Sequence, residues 1–132
     1  MTSKVTYLGE LRTTSTHLQS GTEILSDAPV DNKGKGEAFS PTDTVANALA
    51  TCMFTVMGIK AQEMGVKLEG STAEVTKYMA ADPRRISKIE IRFQLHADAD
   101  TKERTILERT AMTCPVHFSL HPDIERDITF NW

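Results

Sequence analysis

SPTDTVANALATCMFTVMGIKAQEMG, residues 40–65, is the stretch whose reading decides the fold. Ser40 is a favourable N-cap, because its hydroxyl can accept one of the unpaired N–H groups of a first helical turn. Pro41 suits the first helical position, where no N–H is needed. Asp43, three residues after the cap, resembles the acidic partner of a capping box and favours the positive end of the helix. Gly65 ends the run with the residue that best tolerates a left-handed C-cap. A helix of roughly 24 residues, about 36 Å long, is expected. From Thr44 to Ile59 it carries no charge. Val45, Leu49, Cys52, Met53, Val56 and Met57 leave no clean polar stripe, and Ala46, Ala48, Ala50, Phe54 and Ile59 fill the other sides. A helix apolar nearly all round is buried in a core or a membrane. The uncharged run is shorter than the roughly 20 predominantly apolar residues that a span requires. The reading is a central core helix of a soluble protein, with Cys52 at its middle.

A chain of 132 residues is expected to form a single domain, residues 1–132, large enough for a real core. A net charge of -3 offers no broad positive field for nucleic acid or acidic lipid, so neither nucleic acid nor membrane is an expected partner. The start, MTSKVTYLGE, has no apolar signal-like segment, and a cytoplasmic location is the default. There a permanent structural disulfide is not expected. The two cysteines, Cys52 and Cys114, are therefore either ordinary buried residues or a redox pair.

Around the central helix the chain reads as α+β. Lys4 to Leu11, Arg12 to Gln19 and Thr22 to Ser26 are strand-like, and Asp27 to Phe39 is a loop rich in turn residues. Ser71 to Met79 and Ile86 to Ala97 form a hairpin about Ala81-Asp82-Pro83-Arg84. Its second strand alternates clearly, with Ile89, Ile91, Phe93 and Leu95 on one face. Asp100 or Thr101 caps a second helix running to about Met112. Cys114-Pro115 opens a short helix stopped by Pro122, and Ile124 to Trp132 is a final strand.

Few residues suggest chemistry by themselves. Cysteine is among the residue types most often buried, so Cys52 reads equally as an inert core thiol. It lies about three turns into the helix, beyond the help of the N-terminal dipole, and its activation would need a cation from elsewhere. Cys114 has a helix start beside it, where free N–H groups lower a thiol pKa. His117 and His121 share a face with Cys114 and could supply zinc ligands, but no fourth ligand is apparent and no metal is expected. Lys33 and Lys35 among Gly34 and Gly36 lack P-loop spacing and read as a solvated loop. Phe39, Met53, Phe54, Met57 and Phe118 read first as plain core, and second as the lining of an apolar pocket.

The residues together resemble a family. A Gly-rich loop, then SPTDTVANALATC, then TCPVHFSL after a further helix is similar to the OsmC/Ohr proteins, the osmotically inducible protein C and organic hydroperoxide resistance group. The resemblance covers nearly the whole chain in order and length. It implies an OsmC-like fold in an intertwined homodimer, with the two long helices packed at the centre and the antiparallel sheets outside. It implies a thiol-dependent hydroperoxide reductase that needs no metal or flavin cofactor. Cys52 would be the peroxidatic thiolate and Cys114 the resolving thiol, with an external dithiol or lipoyl-type reductant as electron donor. The family's thiolate-stabilising arginine corresponds best to Arg12, with Lys33 and Lys35 as possible replacements. The family's glutamate follows the proline of the helix start, where this chain has Thr42; Asp43 or Glu37 can take that part. These departures place the chain in the broader OsmC-like group. The alternative is a non-catalytic or redox-sensing relative that binds a small apolar ligand.

Overall fold

The computed structural model describes residues 1–132 as two compact units, Met1–Val45 and Ala46–Trp132. The first holds an antiparallel sheet of β1 (Ser3–Gly9), β2 (Arg12–His17) and β3 (Glu23–Asp27), in that order. β1 and β2 join through Glu10 and Leu11, both at positive φ (51° and 62°), the geometry of the tight hairpin turns that match strand twist. The Leu11 N–H donates to the Tyr7 hydroxyl at 3.3 Å. Only Asp27 and Ser40 are fully buried in this unit, whereas Val5, Tyr7, Ile24 and Leu25 are exposed. The loop after β3 folds tightly on Ala28. Gly34 is required there, since a Cβ would stand 1.6 Å from the Ala28 carbonyl oxygen.

The long helix forms as its caps dictate. α1 spans Pro41–Met64. The Asp43 N–H donates to Ser40 Oγ at 3.0 Å, and the Ser40 N–H donates to Asp43 Oδ2 at 2.8 Å, a reciprocal capping box. At its end Gly65 has φ 71°, with Gly65 N–H bonded to Gln62 O and Val66 N–H to Ala61 O, a Schellman ending.

In the second unit β4 (Thr72–Ala80) and β5 (Arg85–Gln94) form the expected hairpin, and β6 (Glu125–Asn131) lies parallel to β5 on its other side. The crossover from β5 to β6 carries α2 (Thr101–Ala111) and α3 (Pro115–Ser119). α2 starts at a second capping box, Asp100 with Glu103. Ile89, Ile91, Phe93 and Leu95 point inward and cluster with Ala46, Leu49, Ala50, Met53 and Met57 of α1. Phe93 meets Phe54 edge-on at 4.8 Å and stacks on Phe130 at 5.2 Å. Leu107, Ala61, Val66 and Ala99 make a second cluster.

The expectation that α1 is buried all round is corrected. Its inward face is buried, but Thr51, Thr55, Ile59 and Gln62 form an exposed stripe. The physical reason is that one sheet face covers one side of a helix. By length and composition alone α1 could span a membrane. Its packing on β5 makes it a core helix of this unit.

Candidate active site

Both cysteines are free thiols of the second unit. Cys52 is half-buried and packs against the main core cluster, and Cys114 is a fully buried member of that cluster. They meet because α1 and the α2–α3 crossover both cover the inner face of β4–β6. Cys114 is the N-cap of α3, and its Sγ accepts the His117 N–H at 3.3 Å. Cys52 is close enough to Cys114 to act on its titration. Burial pushes the Cys114 pKa up, the His117 N–H pulls it down, and the neighbouring Cys52 raises it further. The net direction is upward, so Cys114 is held as a protonated thiol at neutral pH.

In the first unit Arg12 opens β2 directly after the hairpin turn. Its guanidinium donates from Nε to Asp27 Oδ1 at 2.7 Å, from Nη2 to Asp27 Oδ2 at 2.8 Å and from Nη2 to Glu37 Oε2 at 2.8 Å. The Glu37 N–H also donates to Asp27 Oδ2, at 3.1 Å. The two carboxylates raise the Arg12 pKa above its ordinary value. Arg12 and, less strongly, the Glu37 N–H hold the Asp27 carboxyl below its own, against the effect of burial. Glu37 is thus one of the acids on Arg12. Asp27 was not legible as one, because it reads as the first residue of a loop; its strand partner in the register is Arg12 itself.

The remaining candidates have structural duties. Asp43 serves the α1 capping box. Lys35 pairs with Glu10 at 2.9 Å, and Lys33 takes a left-handed conformation at the end of the Val30–Asn32 turn. His121 Nδ1 accepts the Asp123 N–H, while His117 has a pKa lowered by burial and then by the nearby Arg126 charge. No group of three His, Cys, Asp or Glu side chains is disposed to hold a metal ion, which overturns the Cys114–His117–His121 reading. Met53 and Met57 are core, whereas Phe39 and Phe118 are exposed rather than core. One residue without a signal in the sequence is Arg126 of β6, whose guanidinium donates to carbonyls at the end of α3.

Fold and thiols together define a small α+β protein in which two free cysteines, distant in sequence, meet within an apolar cluster. The chain belongs to the OsmC-like protein family, which it matches over residues 34–129. Among solved structures it is similar to a candidate osmotic stress induced and detoxification response protein of Psychrobacter arcticus 273-4. That protein is 56% identical with a TM-score of 0.96, and the match covers 99% of this chain and 96% of that one. An organic hydroperoxide resistance protein, OsmC, of Legionella pneumophila shares the fold at 16% identity and a TM-score of 0.72, over 100% and 98% of the two chains. So does a candidate organic hydroperoxide resistance protein of Vibrio cholerae, solved with captopril in one of its active sites. It is 15% identical with a TM-score of 0.74, over 99% and 92%. No curated protein matches the chain.

Proposed function

We propose that this protein is a thiol-dependent hydroperoxide reductase acting on organic hydroperoxides, with Cys52 as peroxidatic and Cys114 as resolving thiol. The observation that carries the proposal is the juxtaposition of two free thiols in one apolar cluster, Cys114 within it and Cys52 packed against it. The Cys52 thiolate attacks the peroxide oxygen. The O–O bond breaks, the alcohol leaves with a proton, and Cys52 becomes a sulfenic acid. The Cys114 thiol then displaces the hydroxyl as water and forms the disulfide. An external dithiol, of lipoyl or similar type, reduces that disulfide by exchange. The redox chemistry is carried by sulfur alone. The reading needs a cation to favour the thiolate; Arg12, bonded to Asp27 and Glu37 within the first unit, is the candidate that the family resemblance supplies. The names of the Legionella and Vibrio proteins support the substrate class.

The reading includes a cytoplasmic homodimer. The exposed uncharged stripe of α1 and the exposed Val5, Tyr7, Ile24 and Leu25 of the first sheet support the dimer.

Steady-state removal of cumene hydroperoxide, tert-butyl hydroperoxide and hydrogen peroxide, with dihydrolipoamide as donor, tests the proposal. Turnover that Cys52→Ser abolishes, with a Cys52–Cys114 bond in the oxidised wild type, is the expected result. Absence of turnover with all three peroxides would leave a non-catalytic ligand binder instead.

A further inference from the structure

We infer that Arg126 is a positioning residue for the resolving step, holding α3 so that Cys114 stays against Cys52. The inference rests on the thiol-pair reading above and adds to it the element that fixes the second sulfur.

α3 has five residues, Pro115–Ser119. Helices shorter than about 12–15 residues do not persist on their own in water. Something outside α3 must therefore hold it. At its start Cys114 is the cap: Sγ accepts the His117 N–H at 3.3 Å, and the Cys114 carbonyl accepts the Phe118 N–H at 3.3 Å. The direction of the Cys114 side chain is thus tied to the helix being formed. At the other end one guanidinium collects carbonyls at and just beyond the helix terminus, where the last turn lacks intrahelical partners. Arg126 Nη2 donates to the carbonyls of His117 at 3.3 Å, Leu120 at 3.1 Å and His121 at 3.3 Å, and Nη1 to Ile124 at 2.9 Å. Its charge also sits where the helix end is negative.

Arg126 is itself fixed. It lies in β6 with Ile89 of β5 as its register partner, and Ile89 is fully buried. A continuous chain of contacts therefore runs from the sheet through Arg126 to the α3 carbonyls, through the helix to the His117 N–H, and from there to Cys114 and Cys52. Neither Lys nor Gln reproduces this, because only guanidinium presents five N–H donors in a fixed planar fork.

The step affected is the condensation of the Cys52 sulfenic acid with the Cys114 thiol. The S–S bond forms, the S–O bond of Cys52 breaks, and hydroxyl leaves as water with the Cys114 proton. A disulfide demands a narrow separation and orientation of the two residues, so the rate depends on how often Cys114 occupies that geometry. Loosening α3 lowers this occupancy without touching the attack of Cys52 on peroxide.

The test uses the full chain and its Arg126→Ala and Arg126→Lys variants. In single turnovers with cumene hydroperoxide, Cys52 oxidation is followed by dimedone trapping and disulfide formation by intact mass. The expected result is a first step within twofold of wild type, with disulfide formation about tenfold slower in Arg126→Ala. Sulfenic acid should accumulate, and millimolar guanidinium should partly restore closure where equimolar urea does not. Arg126→Lys is expected to fall between the two. Disulfide formation at the wild-type rate in both variants would overturn the inference, as would equal slowing of both steps.

A second measurement is independent of peroxide chemistry. Equilibration with oxidised and reduced dithiothreitol reports how effectively Cys114 closes on Cys52. A tenfold loss in Arg126→Ala corresponds to a potential about 30 mV less negative. A shift of that size in a protein inert to every peroxide would keep the positioning role and reject the reductase. An unchanged potential would reject the positioning role. If Arg126→Ala does not fold, Arg126→Lys decides by the same two readouts.

Discussion

Arg12 and Asp27 stand opposite each other across β2 and β3 and are joined at two points, Nε to Oδ1 at 2.7 Å and Nη2 to Oδ2 at 2.8 Å. The Asp27 side chain is 1% exposed and that of Arg12 27%. In a unit whose fully buried residues are Asp27 and Ser40, this pair with Glu37 is a main specification of structure. A forked guanidinium–carboxylate contact also fixes orientation, which a lysine would not.

Asp27→Asn should therefore lower the thermal midpoint at neutral pH, and the difference should vanish in acid. The sign follows from linkage. The folded pKa of Asp27 lies below its ordinary value, chiefly through Arg12. Its contribution is present above the unfolded carboxyl pKa of about 3.9 and is lost as pH falls through the lower folded value. Thermal melts of wild type and variant from neutral pH to about pH 2 should converge. A constant gap over that range would show that the charge of Asp27 is not what stabilises this corner.

The core makes a sharper quantitative claim. Phe93 is fully buried between Phe54 and Phe130, whereas Phe118 is 71% exposed. Phe93→Ala should cost about 3–5 kcal/mol. Phe118→Ala should stay within about 0.5 kcal/mol, as exposed substitutions usually do. Urea titration of both variants measures the contrast. Equal costs would mean that the aromatic stack does not carry the unit.

Much of this architecture is legible in the sequence. The caps of α1 and α2 are local side-chain chemistry, so Ser40, Asp43, Gly65 and Asp100 announce their helices. The strict alternation Ile89, Ile91, Phe93, Leu95 announces a one-faced strand, and all four residues are buried. What could not be read depends on register and three-dimensional neighbours. The hairpin turn at Glu10-Leu11 has no Gly or Asn, although both residues take positive φ. Asp27 becomes a partner of Arg12 only once β2 and β3 are aligned. Arg126 looks like one charge among the alternating residues of β6 until α3 returns its carbonyls to it. The uncharged middle of α1 suggested burial on all sides, but apolarity does not say which molecule covers which face.

Cys114 offers a prediction on the proposed chemistry. Burial and the Cys52 contact hold its thiol above the ordinary pKa. A resolving step that needs the Cys114 thiolate should then accelerate about tenfold per pH unit across the neutral range, following the thiolate fraction. Stopped-flow disulfide formation in pre-oxidised protein from pH 6 to 9 gives the profile. A flat profile would mean that the Cys114 proton leaves during or after the sulfur–sulfur step. The same sign applies to stability: a pKa raised in the folded state makes the contribution of Cys114 largest below the thiol pKa, and it declines as pH rises through the folded value.

The last prediction concerns the open side of α1. Thr51, Thr55, Ile59 and Gln62 recur at helical spacing, and Ile59 is 57% exposed. A stripe with no charge, two threonines whose hydroxyls bond their own helix and one large aliphatic residue can pack against a second copy of the same helix without burying an ion. Thr55 is exposed, and its hydroxyl donates to the Thr51 carbonyl at 2.8 Å, so replacing it removes no core contact. Thr55→Arg would place two like charges at the centre of a helix pair, and burying an unpaired charge is strongly unfavourable. Wild-type protein is expected to sediment at twice the chain mass of 14.6 kDa, and the variant at the single-chain mass with its helical circular dichroism retained. A wild-type species at the single-chain mass would reject the dimer. A variant that stays dimeric would move the interface to another surface, for which the exposed Val5, Tyr7 and Ile24 of the first sheet are the next residues to charge.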